Sequence, residues 1–338
     1  MKKFLALLLA LVMVFALAAC GSEASDPNAD PAATDDGASA TPEATPEPTE
    51  NPYAEMSTEE LLAQLETVTD GVLSVATSPD FAPYEFYALD ENGNATLAGF
   101  DIALAQYLAD FMGLECQITA MDFDGIATEL SMKTTDIGLA GFSPDPEREG
   151  AMAFSDLYYL GGQSFVTTKD KADLFPDLES INNPEYQIGC QSGSIQQDLA
   201  EEYAAPESVT TLVRVTDIVA ELVSGGLDGA FIETAVAENY SVTNPDLEIV
   251  LEVPYDQAGS AVGVQLDNPV LLELVNRGIA QCIESGEMDR FVAEANELSL
   301  GDMYEGLLDA SGQVPDAGTS AEDANAANSA APEESPAA

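Results

Sequence analysis

Two apolar runs, GQSFVTT (residues 162–168) and GSAVGVQ (259–265), decide how this chain folds. Between them lies a complete alternation of strand and helix. Strand YQIGC (186–190) leads through turn QSGS (191–194) to helix IQQDLAEEY (195–203), and strand VTTLV (209–213) is followed by helix DIVAELVSG (217–225) and strand DGAFIE (228–233). Before the first run a similar pattern is already present, so the middle unit is an insertion reached and left by extended chain. That arrangement predicts two α/β lobes joined by a double crossover, each a mainly parallel sheet flanked by helices.

The first lobe opens with STEELLAQLE (57–66), where Ser57 and Glu60 have the spacing of a capping box. GVLSVATS (71–78) reads as a strand. In FDIALAQYLADFMG (100–113), Ile102, Leu104, Ala105, Leu108, Phe111 and Met112 recur at helical spacing, with Asp101 as the expected N-cap and Gly113 as the stop. CQITAMDF (116–123) is strand-like, DGIATELSM (124–132) helix-like, and TDIGLAGF (135–142) a buried strand. After the second run, NPVLLELVNRGIAQCIESG (268–286) and EMDRFVAEAN (287–296) are two amphipathic helices.

The ends do not belong to this core. MKKFLALLLALVMVFALAAC has two lysines, an apolar stretch and small residues before Cys20, the form of a secretory signal (1–19) rather than a membrane span. Leu17-Ala18-Ala19-Cys20 resembles the bacterial lipoprotein box, which implies cleavage before Cys20 and acylation of its thiol. A plain secretory signal is the alternative. Residues 20–52 and 313–338 are acidic, rich in Pro, Ala and Thr, and almost without large apolar residues; an extended tether and tail are expected. About 255 residues remain for the two lobes. Lobe one is expected over 53–164 and 256–312, and lobe two over 165–255.

Composition removes whole classes of function. The chain carries 9 Lys and Arg against 61 Asp and Glu, for a formal net charge of −52. Nucleic acid and anionic lipid would both repel it. It has no His, so a Ser-His-Asp or Cys-His nucleophile and a His-ligated metal are excluded. Cys116, Cys190 and Cys282 show no metal-ligand spacing and read as buried free thiols; no metal or cofactor is implied.

Against that acidity, Arg148 in GFSPDPER (141–148) stands out. Ligands of open α/β sheets lie beyond the C-terminal strand ends, which here are the stretches around Pro79–Pro83, Asp122–Asp124, Gly141–Arg148, Gln191–Ser194 and Ile232–Thr234. Backbone N–H groups near helix starts at Ser143 and Ser194, with the planar fork of Arg148, would suit a carboxylate. A surface arginine paired with Glu147 or Glu149 is the plain alternative, as core packing is for Phe81 and Phe123.

SPDFAPYEF (78–86), LAGFDIALAQYLADFMG (97–113), MDFDGIATEL (121–130), DIGLAGFSPDPEREGAMAFSDLYY (136–159), IGCQSGSIQQ (188–197), LVSGGLDGAFIE (222–233) and ELVNRGIAQCIESGEMDRF (273–291) resemble, in that order, the extracytoplasmic solute-binding proteins of polar amino-acid ABC transporters. The resemblance implies the two-lobed type II periplasmic binding protein fold and hinge closure on an amino acid. It also implies a monomer that delivers to a membrane permease and its ATPase, touching the membrane only through the lipid on Cys20. By the same resemblance Arg148 takes the ligand carboxylate with Gly141, Ser143 and Ser194, and Glu233 stands where an aspartate usually takes the ammonium. Phe81 and Phe123 form aromatic walls, while Ser78 and Gln191 face the ligand side chain. Asp145 replaces a frequent threonine and is read as a cap with Pro146 at the first helical position. Ser78 replaces an acid of some relatives, which argues for a polar uncharged or small ligand over a basic one. A cyclohexadienyl dehydratase-like enzyme and an amino-acid sensor lipoprotein are the rival functions.

Overall fold

The computed structural model describes residues 51–255, 259–304 and 306. The signal segment, Cys20, and nearly all of the expected tether and tail lie outside the described residues. Lobe one begins with α1 (Thr58–Leu62), whose Ser57 and Glu60 form the expected capping box. Then come β1 (Val72–Thr77), β2 (Asp80–Phe81), β3 (Glu85–Leu89), β4 (Ala95–Ala98), α2 (Phe100–Met112), β5 (Glu115–Ala120), α3 (Phe123–Ser131), β6 (Ile137–Gly138) and β7 (Ala153–Tyr159). Lobe two comprises β8 (Gln163–Thr168), β9 (Ile188–Gln191), α4 (Ile195–Tyr203), β10 (Val209–Leu212), α5 (Val215–Ser224), β11 (Gly229–Glu233), α6 (Thr234–Thr243) and β12 (Leu247–Val253). The chain then returns through β13 (Ser260–Val264) to α7 (Pro269–Glu284), α8 (Glu287–Leu298) and β14 (Met303–Tyr304) in lobe one.

Each lobe is built on one five-stranded sheet, β5-β1-β6-β13-β7 in the first and β10-β9-β11-β8-β12 in the second. The βα units pair in parallel, as β1 does with β5 and β6, and β9 with β10 and β11. The sheets are nevertheless mixed. The two crossover runs become β8 and β13, and strands arriving from the other lobe enter antiparallel, β8 against β11 and β13 against β6. Leu104, Ala105 and Leu108 of α2 pack with Leu271, Leu274 and Val275 of α7 in the lobe-one core, all fully buried. Phe165, Phe175 and Phe231 form an edge-on aromatic cluster in lobe two.

A smaller sheet, β14-β3-β2 with β4 on β3, is absent from the sequence-based expectation. Asn92-Gly93 at the β3–β4 turn is a hairpin signal that could have revealed it. Gly93 has φ +80, and the Asp90 carboxylate accepts from the Asn92 and Asn94 N–H groups at 2.8 and 2.9 Å. Those bonds and the Asn94 side chain hold Asp90 down at about 2.

Asp101 is not the N-cap of α2; Gly99 is. With φ +121, Gly99 lies so close to the preceding segment that a Cβ would stand 2.0 Å from the Tyr84 carbonyl oxygen. The N–H groups of Phe100 and Asp101 donate to the carbonyls of Pro83 and Tyr84. This stitching places Asp101 inside the protein, fully buried. Cys116 is half-buried, Cys190 and Cys282 are buried, and all three are free, with burial raising each thiol above its ordinary range.

Candidate ligand site between the lobes

The site is assembled at the C-terminal ends of β1, β6 and β9, where free loop backbone meets the facing lobe. β6 ends at Gly138, and the chain turns across the sheet end toward Ser143. Gly141 has φ +58, and a Cβ there would stand 2.7 Å from the Phe81 ring, so glycine is what lets the loop lie on that aromatic face. Its N–H donates to Asp101 Oδ2 at 3.0 Å. Pro146–Arg148 then form one 3₁₀ turn, not the start of a longer helix. The chain leaves that turn for β7 within five residues, leaving no room for helical growth.

This turn presents Arg148 over Phe123, with the guanidinium carbon 5.8 Å from the ring centroid. Arg148 Nη2 donates to the Gly193 carbonyl of lobe two at 3.0 Å. Burial lowers the arginine's pKa, and the charges of Asp145, Asp198 and Tyr255 oppose that fall. Asp145, read from sequence as a cap, therefore also acts as a counter-charge. Its backbone carbonyl accepts the Arg148 N–H at 3.0 Å.

Arg148, Ser143, Gly141, Phe81, Phe123 and Gln191 line one tight cavity, with room of about 10 Å³ as the lobes stand. Ala140, Phe142, Ile195 and Gln196 complete its walls and were not singled out from sequence. Ile195 and Gln196 open α4 directly after Ser194, so the spacing of a helix start was an available signal. Ser194 N-caps α4: its Oγ accepts from Gln197 N–H and donates to the Gln191 carbonyl at 2.8 Å, beside the cavity. Phe123 also packs at a tilt against Phe142, with ring centroids 5.0 Å apart. Wall and core are the same ring here.

Ser78 faces a neighbouring narrow cleft shared with Asp80, Asp122 and Arg214. Its hydroxyl donates to Asp80 Oδ1 at 2.8 Å. Asp80 reaches across to lobe two, where Oδ2 accepts from the Val215 N–H at 2.7 Å and from Gln191 Nε2 at 3.2 Å. Asp122 and Arg214 pair beside it at 3.6 Å. The lobes are thus in direct polar contact, a closed arrangement. Burial pushes Asp80 up to about 6, against the opposing effect of the Val215 and Ser78 hydrogen bonds.

Glu233 is not among the residues lining the Arg148 cavity. It lines a wider cleft beside the first crossover, with Gly161, Gly162 and Glu252. As the N-cap of α6 it folds its side chain back on its own helix, so that Oε2 accepts from the Val236 N–H at 3.0 Å. Oε1 is buried and accepts no hydrogen bond among the described residues. Burial raises Glu233 to about 7; the Val236 N–H and the nearby Tyr84 hydroxyl favour its charge.

Among the described residues no cluster of His, Cys, Asp or Glu has the arrangement of a metal site, and no helix is long and apolar enough to cross a membrane. Two lobes on a double crossover, closing over an arginine and two aromatic walls, define a solute-binding protein. The family model for bacterial extracellular solute-binding proteins, family 3, matches residues 73–295, and the chain belongs to that family. The arginine-binding extracellular protein ArtP of Bacillus subtilis (strain 168) is 30% identical over 295 residues, 86% of this chain and 96% of ArtP. ABC transporter arginine-binding protein 1 of Escherichia coli (strain K12) is 28% identical over 212 residues, 62% of this chain and 84% of that protein. The crystal structure of the amino acid ABC transporter substrate-binding protein AbpA from Streptococcus pneumoniae Canada MDR_19A, bound to L-arginine, is similar with a TM-score of 0.65 and 28% identity. That match covers 72% of this chain and 100% of AbpA. These relatives are binding proteins, not enzymes.

Proposed function

We propose that this protein captures an amino acid between its lobes and delivers it to an ABC importer, held at the cell surface by a lipid on Cys20. The cavity around Arg148 carries the reading. It joins a guanidinium, the buried Ser143 and two aromatic faces, a combination suited to a carboxylate with an aliphatic stem. Glu233 is the proposed counter-charge for the ammonium, because its Oε1 is buried and unpartnered. Contacts to both lobes favour the closed state, which is how binding drives hinge motion.

The ligand we propose has a basic side chain, with arginine first. The names of the relatives in Bacillus subtilis and Escherichia coli support this, as does the bound ligand of the pneumococcal protein. Ser78 alone pointed the other way. The carboxylate of Asp80, hydrogen-bonded to that serine, supplies an acid next to the position where Ser78 lacks one.

Titration calorimetry with arginine, lysine, glutamine and cystine tests the reading, alongside Arg148→Ala. Losing a charge-assisted bidentate contact is expected to weaken binding at least about 100-fold, with the circular dichroism spectrum unchanged. Equal affinity in parent and variant would remove the carboxylate site. Tighter binding of glutamine than of arginine would remove the basic side chain.

A further inference from the structure

Beneath the proposed carboxylate receptor lies a pair of acids that the binding reading does not use. Glu85 and Asp101 are both 0% exposed. Glu85 is the first residue of β3, in register with Phe81 of β2, and Asp101 lies in the first turn of α2. The close approach at Gly99 brings the two carboxyl groups into hydrogen-bonding contact. Asp101 Oδ2 accepts from the Gly141 N–H and from the Tyr158 hydroxyl, both at 3.0 Å. The remaining oxygens, Oδ1 of Asp101 and both of Glu85, find no N–H or hydroxyl donor among the described residues.

Two ionised carboxylates in contact, with no cationic side chain acting on them among the described residues, would repel strongly. One proton between them removes the repulsion and satisfies two of the three orphaned oxygens, one on each residue. Asp101 already accepts two donors, so its charge is the better supported of the two. The proton therefore belongs to Glu85, which donates to Asp101 Oδ1. The groups around the pair agree: Asp80 on β2, Tyr84 before β3 and Tyr158 on β7 face it, and none of them is a cation. Burial raises Glu85 well above the ordinary carboxylate range, with the Asp101 charge next in effect.

We propose that Glu85 and Asp101 share one proton as an acid–carboxylate pair and act as positioning residues, anchoring the Gly141 N–H so that the Gly141–Ser143 loop keeps its carboxylate-receiving shape. The charge of Asp101 fixes the loop. The proton on Glu85 limits the pair to a single negative charge behind a site meant for another. This inference rests on the carboxylate-site reading above. It adds that the receptor is built on a buried carboxylic acid that persists at neutral pH.

The test combines infrared spectroscopy with binding of L-arginine. At about pH 8.5, where ordinary carboxyls and those near 6 or 7 are ionised, the parent is expected to show one carboxylic-acid C=O band. Glu85→Gln, whose amide can donate to Asp101 in place of the acid, is expected to lack that band and to bind within about 3-fold of the parent. Its affinity should also fall less than the parent's as pH is raised further. Asp101→Ala, which leaves Gly141 without its acceptor, is expected to bind at least about 10-fold more weakly. Absence of the band in the parent overturns the shared proton whatever the binding results. A normal band, with Asp101→Ala binding as the parent does while Arg148→Ala fails to bind, overturns the positioning role and leaves the carboxylate site standing. Should Asp101→Ala not fold, Glu85→Gln decides: the same alkaline fall in affinity as in the parent overturns the proposal.

Discussion

Replacing Asp80 separates two things that its carboxylate does, accepting hydrogen bonds across the cleft and carrying a charge there. In the closed arrangement it accepts from Val215 N–H and Gln191 Nε2 of lobe two, and it is 6% exposed. Asp80→Ala leaves the Val215 N–H and one Gln191 Nε2 hydrogen without an acceptor, while the Gln191 Nε2 bond to the Val213 carbonyl remains. Each such loss costs about 1–3 kcal/mol when the group stays buried, so closure weakens by about 2–6 kcal/mol. Where the ligand is held only by the closed form, affinity falls by at least about 30-fold. Asp80→Asn behaves differently. It keeps an acceptor for Val215, and it removes a charge that burial disfavours. Once pH is well above 6, keeping an aspartate raised from 3.8 to about 6 ionised in the closed form costs about 3 kcal/mol relative to the exposed group. The contribution of the raised group is fully present below the ordinary value of 3.8 and is lost as pH rises through about 6. The parent is therefore expected to close more readily at about pH 5 than at about pH 7.5, and Asp80→Asn to close equally at both. Small-angle scattering and calorimetry at the two pH values measure this. Equal loss of closure in the ligand-free Asn and Ala variants, read by scattering, would show that charge, not acceptor geometry, holds the lobes, and the reasoning would fail.

Two further perturbations have definite outcomes. Gly99→Ala places a Cβ 2.0 Å from the Tyr84 carbonyl oxygen, a backbone atom that accepts the Asp101 N–H. The variant is expected to lose several degrees of melting temperature or fail to accumulate folded, as circular dichroism would show; parent-like melting would mean that α2 can slide. Glu233→Gln is expected to flatten the pH dependence of stability. In the parent, raised from 4.5 to about 7, Glu233 contributes about 3 kcal/mol that is fully present below 4.5 and lost as pH rises through about 7. Melting curves between about pH 5 and 8 that fall as steeply in the variant would place that loss elsewhere.

Periodicity made the βα units of both lobes legible, and α4 spans Ile195–Tyr203 as its pattern predicts. The two crossover runs were legible because they are apolar segments with no helix of their own between two complete units. Their antiparallel entry was not, since strand direction depends on where the chain comes from, not on its residues. Arg148 could be singled out because cations are scarce. Asp80, Glu85 and Asp101 could not, because acids are everywhere in this chain and only burial distinguishes those three. Glu233 was legible as a residue of interest after β11. The orientation of its side chain is decided by its place as the N-cap of α6, bonded to the Val236 N–H.

That difference bears on how so acidic a chain builds a receptor for an anion. With 61 acidic residues, the danger is not a shortage of positive charge but negative charge left close behind the site. Three of the acids nearest the lobe interface and its crossover, Asp80, Asp101 and Glu233, are buried and raised to between about 6 and 7, and Glu85 is raised further. Each is drawn toward its neutral form or is bound to backbone N–H groups that absorb its charge. Arg148 then needs only Asp145, Asp198 and Tyr255 to keep its own charge against burial, and none of these is among the residues lining its cavity. The proposed receptor therefore relies less on added cations than on buried acids whose charge is held in place: Glu85 keeps the proton of the proposed pair, Asp101 is bound by the Gly141 N–H and Glu233 by a helix start. On this account, exposing the Glu85–Asp101 pair to water should damage anion binding even with Arg148 untouched.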